Sequence, residues 1–253
     1  RSPFLLSGSI LTFFSPHPST LSHRMISAVI VAAGKGTRMG PNVDKLFLPL
    51  NGRPVVAHTW ARYEAVSLVA EIILVVREGM ESEFRQLAEQ NGFRKPFRIV
   101  GGGKERQDSV WNGLEALGPA TSIVAIQDGA RPCTSPEVIQ ATIEAAKESG
   151  AAVAAQSVTD TVKESADGQW IERTLDRSRL WVVQTPQTFQ VAVIRKALGL
   201  VRQRGLLVTD DTAACELIGH PVRLIASSAP NPKVTRPEDL PYISHLLVGR
   251  ASV

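Results

Sequence analysis

An α/β fold, with a mostly parallel sheet covered by helices on both faces and a projecting β-hairpin arm, is predicted by three features of the sequence. Short apolar runs rich in β-branched residues recur along the chain, each of strand length. Stretches of helical spacing, about ten residues long, alternate with these runs, the pattern of parallel strands joined by crossover helices. One interval, residues 151–189, breaks the alternation and contains a D-G turn signal. The arrangement is Rossmann-like.

The elements follow in order. Ile26–Ala33 is an apolar run ending at Gly34 and reads as a buried strand. Pro54–Ala65 has helical spacing, Glu71–Val76 is a second buried strand, and Glu81–Gln90 is helical. Phe97–Val100 is strand-like, Ser109–Leu117 helical, Ser122–Gln127 a third apolar strand, and Pro136–Glu148 a helix. In the interval that follows, Val158–Lys163 and Trp170–Thr174 pair as a hairpin across Ala166-Asp167-Gly168. That insertion is too small for a domain, and an arm of this kind suits dimerisation. Helix–strand–helix order resumes after Val191, with Val222–Ala226 as a late strand. Thr235-x-x-Glu238 is a capping-box pattern with Pro237 in the first turn, predicting a helix start. Residues 25–253 therefore form one domain with an arm at about 151–189.

Composition sets the outer limits. The chain has 253 residues, 43% hydrophobic and 21% charged, with a mean hydropathy near zero, as expected of a soluble globular protein. A pI of 9.3 and a net charge of +4 raise nucleic acid as a partner. Two of the 28 basic residues, Arg1 and Arg24, lie in the first 24 positions, where there is no acid, so the remainder carries only +2. That bias is too weak for a nucleic-acid protein. The apolar stretch Phe4–Phe14 is about half the length of a bilayer-spanning helix, so no membrane association is expected. Residues 1–24 read as a leader, outside the fold. Three readings stay open for it: a non-native or upstream-translated segment before a start at Met25, a targeting remnant, or an ordered functional segment. A cytoplasmic location is expected, or a plastid if the leader is a transit remnant. Cys133 and Cys215 belong to no CxxC or Cys/His cluster, which favours two reduced thiols over a disulfide framework or structural zinc.

Three segments carry chemistry. Ala32-Ala33-Gly34-Lys35-Gly36-Thr37-Arg38-Met39-Gly40 directly follows the first strand, where open α/β sheets bind ligands. Gly34 and Gly36 let backbone N–H groups approach a phosphate, and Lys35, Arg38 and nearby Lys45 supply countercharge. The spacing is neither G-x-G-x-x-G nor a P-loop. Gly101-Gly102-Gly103-Lys104-Glu105-Arg106-Gln107-Asp108-Ser109 is a second Gly-rich loop between strand and helix. It reads either as a flexible connection or as the second wall of a nucleotide pocket, with Ser109 and exposed backbone reading a base edge. Gln127-Asp128-Gly129-Ala130-Arg131-Pro132 closes the third strand. Asp128 alone would read as a turn or cap residue. Beside two anion loops it reads as a Mg²⁺ ligand.

AAGKGTRM, Lys45, GGGKERQDSV, DGARP, TLDRSRLW, QTPQ, TDD and Lys233-Val234-Thr235-Arg236-Pro237-Glu238-Asp239-Leu240 occur in the order found in 2-C-methyl-D-erythritol 4-phosphate cytidylyltransferases. From Met25 to about Leu247 the chain resembles that family. The resemblance implies transfer of a cytidylyl group from CTP to methylerythritol phosphate with release of pyrophosphate, in non-mevalonate isoprenoid synthesis. It implies Mg²⁺ as cofactor and a homodimer formed through the arm. Arg38, Lys45 and Lys233 match the family's catalytic cations, and Arg177 matches an arginine that the dimer partner contributes. Ala32, Ala33, Gly34, Lys35, Gly36, Gly103, Ser109 and Asp128 match its CTP contacts, with Asp128 also the metal ligand. Arg131, Thr161, Thr185, Thr209 and Thr235 match positions around methylerythritol phosphate. Two departures stand out: Asp44-Lys45-Leu46 replaces the P-K-Q of many members, and Lys104 stands where some have an acid. The rival readings are a ribitol 5-phosphate cytidylyltransferase and a non-catalytic nucleotide-binding module. An NAD-dependent dehydrogenase is disfavoured by the glycine spacing and by Arg77, rather than an acid, after the second strand.

Overall fold

A computed structural model describes residues 25–34, 36, 39 and 43–249. The leader, Lys35 and Arg38 lie outside the described residues. The elements in chain order are β1 (Met25–Ala32), β2 (Pro49–Leu50), β3 (Arg53–Pro54), α1 (Val55–Glu64), β4 (Glu71–Val76), α2 (Glu81–Asn91) and β5 (Phe97–Gly101). These are followed by α3 (Arg106–Glu115), β6 (Thr121–Asp128), α4 (Pro136–Ser149), β7 (Ala151–Ser157), β8 (Lys163–Glu164) and β9 (Arg173–Thr174). The chain continues through β10 (Trp181–Gln190), α5 (Val191–Gln203), α6 (Asp211–Leu217), β11 (Arg223–Ala226) and α7 (Asp239–Val248).

The central sheet has seven strands in the order β11-β7-β10-β6-β1-β4-β5. β10 runs antiparallel to both of its neighbours, whereas the remaining pairs are parallel. Alternation of side chains along the strands divides the core between the two faces. Ala28, Ile30, Ile72 and Leu74 pack with Trp60 and Tyr63 of α1, Phe84 of α2, and Ile139 and Ile143 of α4. Val29, Ile73, Val75, Val124 and Ile126 pack on the other face with Leu114 of α3, Ile194 and Leu198 of α5, and Cys215 of α6. Burial pushes the Cys215 thiol up to about 12, so it is protonated at neutral pH. From β1 the chain builds outward through β4 and β5, then returns to place β6 on the other side of β1. The carboxyl ends of β1 and β6 thus flank a topological switch point, where sheets of this kind form a crevice.

Three local expectations are corrected. The expected arm, 151–189, includes two strands of the central sheet, β7 and β10, so the inserted segment is 158–180. Alanine-rich β7 has little β propensity, and β10 carries Pro186 and several glutamines, so neither resembles the apolar runs of the other buried strands. Pairing of β10 with β7 lapses between Val183 and Gln187, around that proline. Within the insertion the hairpin is shorter than expected, Lys163 opposing Thr174 and Glu164 opposing Arg173. The last helix starts at Asp239 rather than beside Thr235. The Asp239 carboxylate accepts from the N–H groups of Thr235 (2.7 Å) and Arg236 (2.9 Å), holding those residues in a turn ahead of the helix.

Candidate active site

A cleft of about 500 Å³ opens at the carboxyl ends of β1 and β6. Ala32, Ala33, Gly34 and Gly36 line one side, and Gly103, Lys104, Glu105, Arg106 and Ser109 line another. Asp128, Gly129 and Ala130 form its floor, and Lys45, Lys233 and Thr235 close it. The two Gly-rich loops therefore meet across one crevice. They touch so closely that a Cβ on Gly102 would lie 2.3 Å from the Ala33 Cβ. The Gly102 N–H donates to Val76 O (2.7 Å), and the Gly103 N–H donates to Ser109 Oγ (3.1 Å).

Lys45 is held from two directions. Its aliphatic stem crosses Gly36, which has φ +64° and whose Cβ, if present, would lie 3.2 Å from the Lys45 Cγ and Cδ. Its Nζ donates to Val234 O (2.9 Å), and the Val234 N–H donates to Ala130 O (2.8 Å). Lys45, the Lys233 loop and the strand-end loop after Asp128 are thereby locked together. Asp44 braces this turn: it is ion-paired with Arg77 and accepts from the Leu46 N–H (3.1 Å).

Asp128 is the electrostatic centre. Lys233 Nζ lies 2.8 Å and Arg131 Nε 3.4 Å from its Oδ2, and Arg106 Nε lies 3.3 Å from its Oδ1. Its N–H donates to Thr185 Oγ1 (3.1 Å). Burial by itself would raise the Asp128 pKa, but Arg106, Lys233 and Arg131 outweigh it and hold the carboxyl well below the usual range. Arg106 also lies 2.9 Å from Oδ2 of the fully buried Asp211, whose own pKa burial raises. Three cations facing two carboxylates, with Lys45 beside them, leave the floor net positive, the character of a site for a polyanion.

The cleft thus gathers Ala32, Ala33, Gly34, Gly36, Lys45, Gly103, Ser109, Asp128, Lys233 and Thr235. Arg131 and Thr185 support Asp128 from behind rather than lining the cleft. Thr161 and Thr209 are exposed, as is Arg177, which follows β9 and donates to Thr159 O (2.6 Å); the cleft of a single chain does not include them. Sequence reading gave no role to Arg106 and Asp211. The motif context could flag Arg106, but its partner lies far along the chain.

A doubly wound sheet with a cationic, glycine-walled cleft at its switch point defines a nucleotide-binding α/β protein. The family model for IspD, 2-C-methyl-D-erythritol 4-phosphate cytidylyltransferase, matches residues 26–248. A protein of that name from Pelotomaculum thermopropionicum is 46% identical over 226 residues, covering 89% of this chain and 95% of the relative. Another, from Geobacillus kaustophilus, is 41% identical, covering 88% and 97%. The crystal structure of 4-diphosphocytidyl-2C-methyl-D-erythritol synthase from Anaerococcus prevotii matches with a TM-score of 0.80 at 31% identity, covering 89% of this chain and 96% of that one. The Thermus thermophilus cytidylyltransferase structure gives 0.73 at 32% identity, covering 88% and 98%. The chain belongs to the 2-C-methyl-D-erythritol 4-phosphate cytidylyltransferase family and is a nucleotidyltransferase of isoprenoid synthesis.

Proposed function

We propose that the cleft binds CTP and that a phosphate oxygen of 2-C-methyl-D-erythritol 4-phosphate attacks its α-phosphorus. The new P–O bond forms as the bond to the β-phosphate breaks, giving 4-diphosphocytidyl-2-C-methyl-D-erythritol and pyrophosphate. The attacking phosphate is already largely ionised near neutral pH, its second pKa being about 6, so no general base is needed. The demand is for positive charge and in-line positioning. The observation that carries this reading is the cluster of Arg106, Arg131 and Lys233 around Asp128, with Lys45 beside it, between two glycine walls.

In this reading Arg38, Lys45 and Lys233 stabilise charge on the α-phosphate and the leaving group. Lys35 and the backbone of Ala32 to Gly36 cradle the triphosphate, and Gly103 and Ser109 face the base. Thr235 at the cleft, with Arg131 and Thr185 behind its floor, is assigned to the acceptor; Thr161 and Thr209, exposed outside the cleft of one chain, are assigned to it only within the dimer. Mg²⁺ fits the donor set: Asp128 is an ionised oxygen ligand at the cleft floor, and Mg²⁺ typically takes one or two carboxylates together with substrate phosphates. Among the described residues no three His, Cys, Asp or Glu groups cluster, so the remaining ligands would be phosphate and water. When bound, the ion supplies charge neutralisation on the triphosphate.

The inserted segment exposes Trp170 (77%) and Ile171 (65%), an apolar surface suited to a second copy of the chain. We assign a homodimer through this arm, with Arg177 completing the partner's site. No described helix is long and apolar enough to cross a membrane. We assign the reaction to the cytoplasm. Incubation with Mg²⁺, CTP and either methylerythritol phosphate or ribitol 5-phosphate tests the proposal. Pyrophosphate release with the first substrate is expected; release only with the second would replace it by the rival.

A further inference from the structure

Arg106 joins the cleft to a buried charge that the chemistry above does not use. It opens α3 directly after the second Gly-rich loop and spans two carboxylates, Asp128 at 3.3 Å and Asp211 at 2.9 Å. Asp211 is fully buried, and among the described residues neither carboxylate oxygen has a hydrogen-bond partner apart from this ion pair. Its position does not depend on Arg106. The Asp211 N–H donates to Gln187 Oε1 (3.0 Å), and Gln187 Nε2 donates to Asp210 Oδ2 (2.9 Å). Asp210 in turn caps α6 by accepting from the Ala213 N–H (2.9 Å). The Asp211 backbone is therefore set by α6 against β10, and Arg106 reaches its carboxylate from the start of α3.

The three cations at Asp128 are not equivalent. Lys233 and Arg131 both approach Oδ2, whereas Arg106 approaches Oδ1. Lys233, which lines the cleft, is also a group to which substrate phosphates would appeal, whereas Arg131 stays behind the floor, donating to Asn231 O (2.7 Å). Arg106 is tethered from behind by a carboxylate that no substrate reaches. We infer that Arg106, anchored on Asp211, is a positioning residue that holds the Oδ1 side of the Asp128 carboxylate when Lys233 turns to the substrates. This inference rests on the cytidylyltransferase reading. The competing account makes Arg106 only a counter-ion, present because a lone buried carboxylate is unfavourable.

The two accounts separate in the variants Arg106→Met, Arg106→Lys, and Arg106→Met combined with Asp211→Asn, each measured for Tm, kcat and KM for CTP. Arg106→Met exposes the buried charge of Asp211 and is expected to lower both Tm and kcat. The double variant removes that charge and is expected to recover Tm while kcat stays roughly 10- to 100-fold down, the range for groups that orient a ligand-bearing side chain. KM for CTP should change less than kcat. Arg106→Lys keeps the charge but not the two-sided fork, so kcat should remain reduced. A double variant that regains wild-type kcat along with Tm would overturn the inference, as would a fully active Arg106→Lys. Pyrophosphate release by the wild-type protein is the control: its absence refutes the parent reading, whereas an active wild type with active variants refutes this one.

Discussion

Replacing Lys45 by methionine removes one positive charge and keeps the aliphatic stem that packs over Gly36. At an effective dielectric constant of about 20, a charge about 4 Å from a phosphate oxygen is worth about 4 kcal/mol. Only the part gained in the transition state counts toward rate. Removing a single oriented electrostatic contact typically costs about 100- to 1000-fold in kcat. Stability should move much less. The hydrogen bond from Nζ to Val234 O is lost, about 1.5–3 kcal/mol for a charged donor, but so is the desolvation cost of an ammonium group on a buried residue. Lys45→Met should therefore fold with a near-normal Tm and turn over at least about 100-fold more slowly at saturating CTP and methylerythritol phosphate. Lys45→Ala should show the same loss of rate with an additional loss of stability from the missing stem. Pyrophosphate release and thermal unfolding on the same preparations decide the matter. A folded variant with kcat within about tenfold of wild type would remove Lys45 from the catalytic set.

Three further outcomes are expected. Gly102→Ala drives a Cβ to 2.3 Å from that of Ala33, so the two glycine walls must part, at a cost of about 1–3 kcal/mol; calorimetric titration should show weaker CTP binding, and an unchanged Kd would detach these walls from the nucleotide site. Glu71 is buried, which opposes its ionisation, but Arg98 at 2.8 Å and the Ser27 hydroxyl at 2.9 Å outweigh burial and lower its pKa. Its contribution is thus fully present above the pKa of an unfolded glutamate and lost as pH falls through the lower folded value. Glu71→Gln should be less stable than wild type by about 1–3 kcal/mol at neutral pH, the gap closing in acid, and a gap independent of pH in denaturant unfolding would contradict this assignment. Trp170→Asp combined with Ile171→Asp should convert a sedimenting dimer into monomer and lower activity through loss of Arg177 from the partner's site; a monomeric wild-type protein at micromolar concentration would count against the arm as an interface.

Strands β1, β4 and β6 were legible because a parallel strand covered on both faces is a continuous apolar run. The Gly-rich loops and Asp128 were legible because the β–loop–α rhythm places them at strand ends. β7 and β10 were not, since alanine, glutamine and proline carry little strand signal and their state is decided by the neighbours they pair with. The Thr235–Glu238 pattern misled because Asp239 competes for the same backbone N–H groups. Composition and strand rhythm were enough to determine the fold class, and the ordered motifs carried the resemblance to the family, because both are written in local patterns. Only the tertiary structure decided that Lys45 rests on Val234 and that Arg106 spans Asp128 and Asp211. Those relations join segments far apart in the chain, and a buried charge takes the partner that folding brings within reach rather than one that sequence spacing specifies.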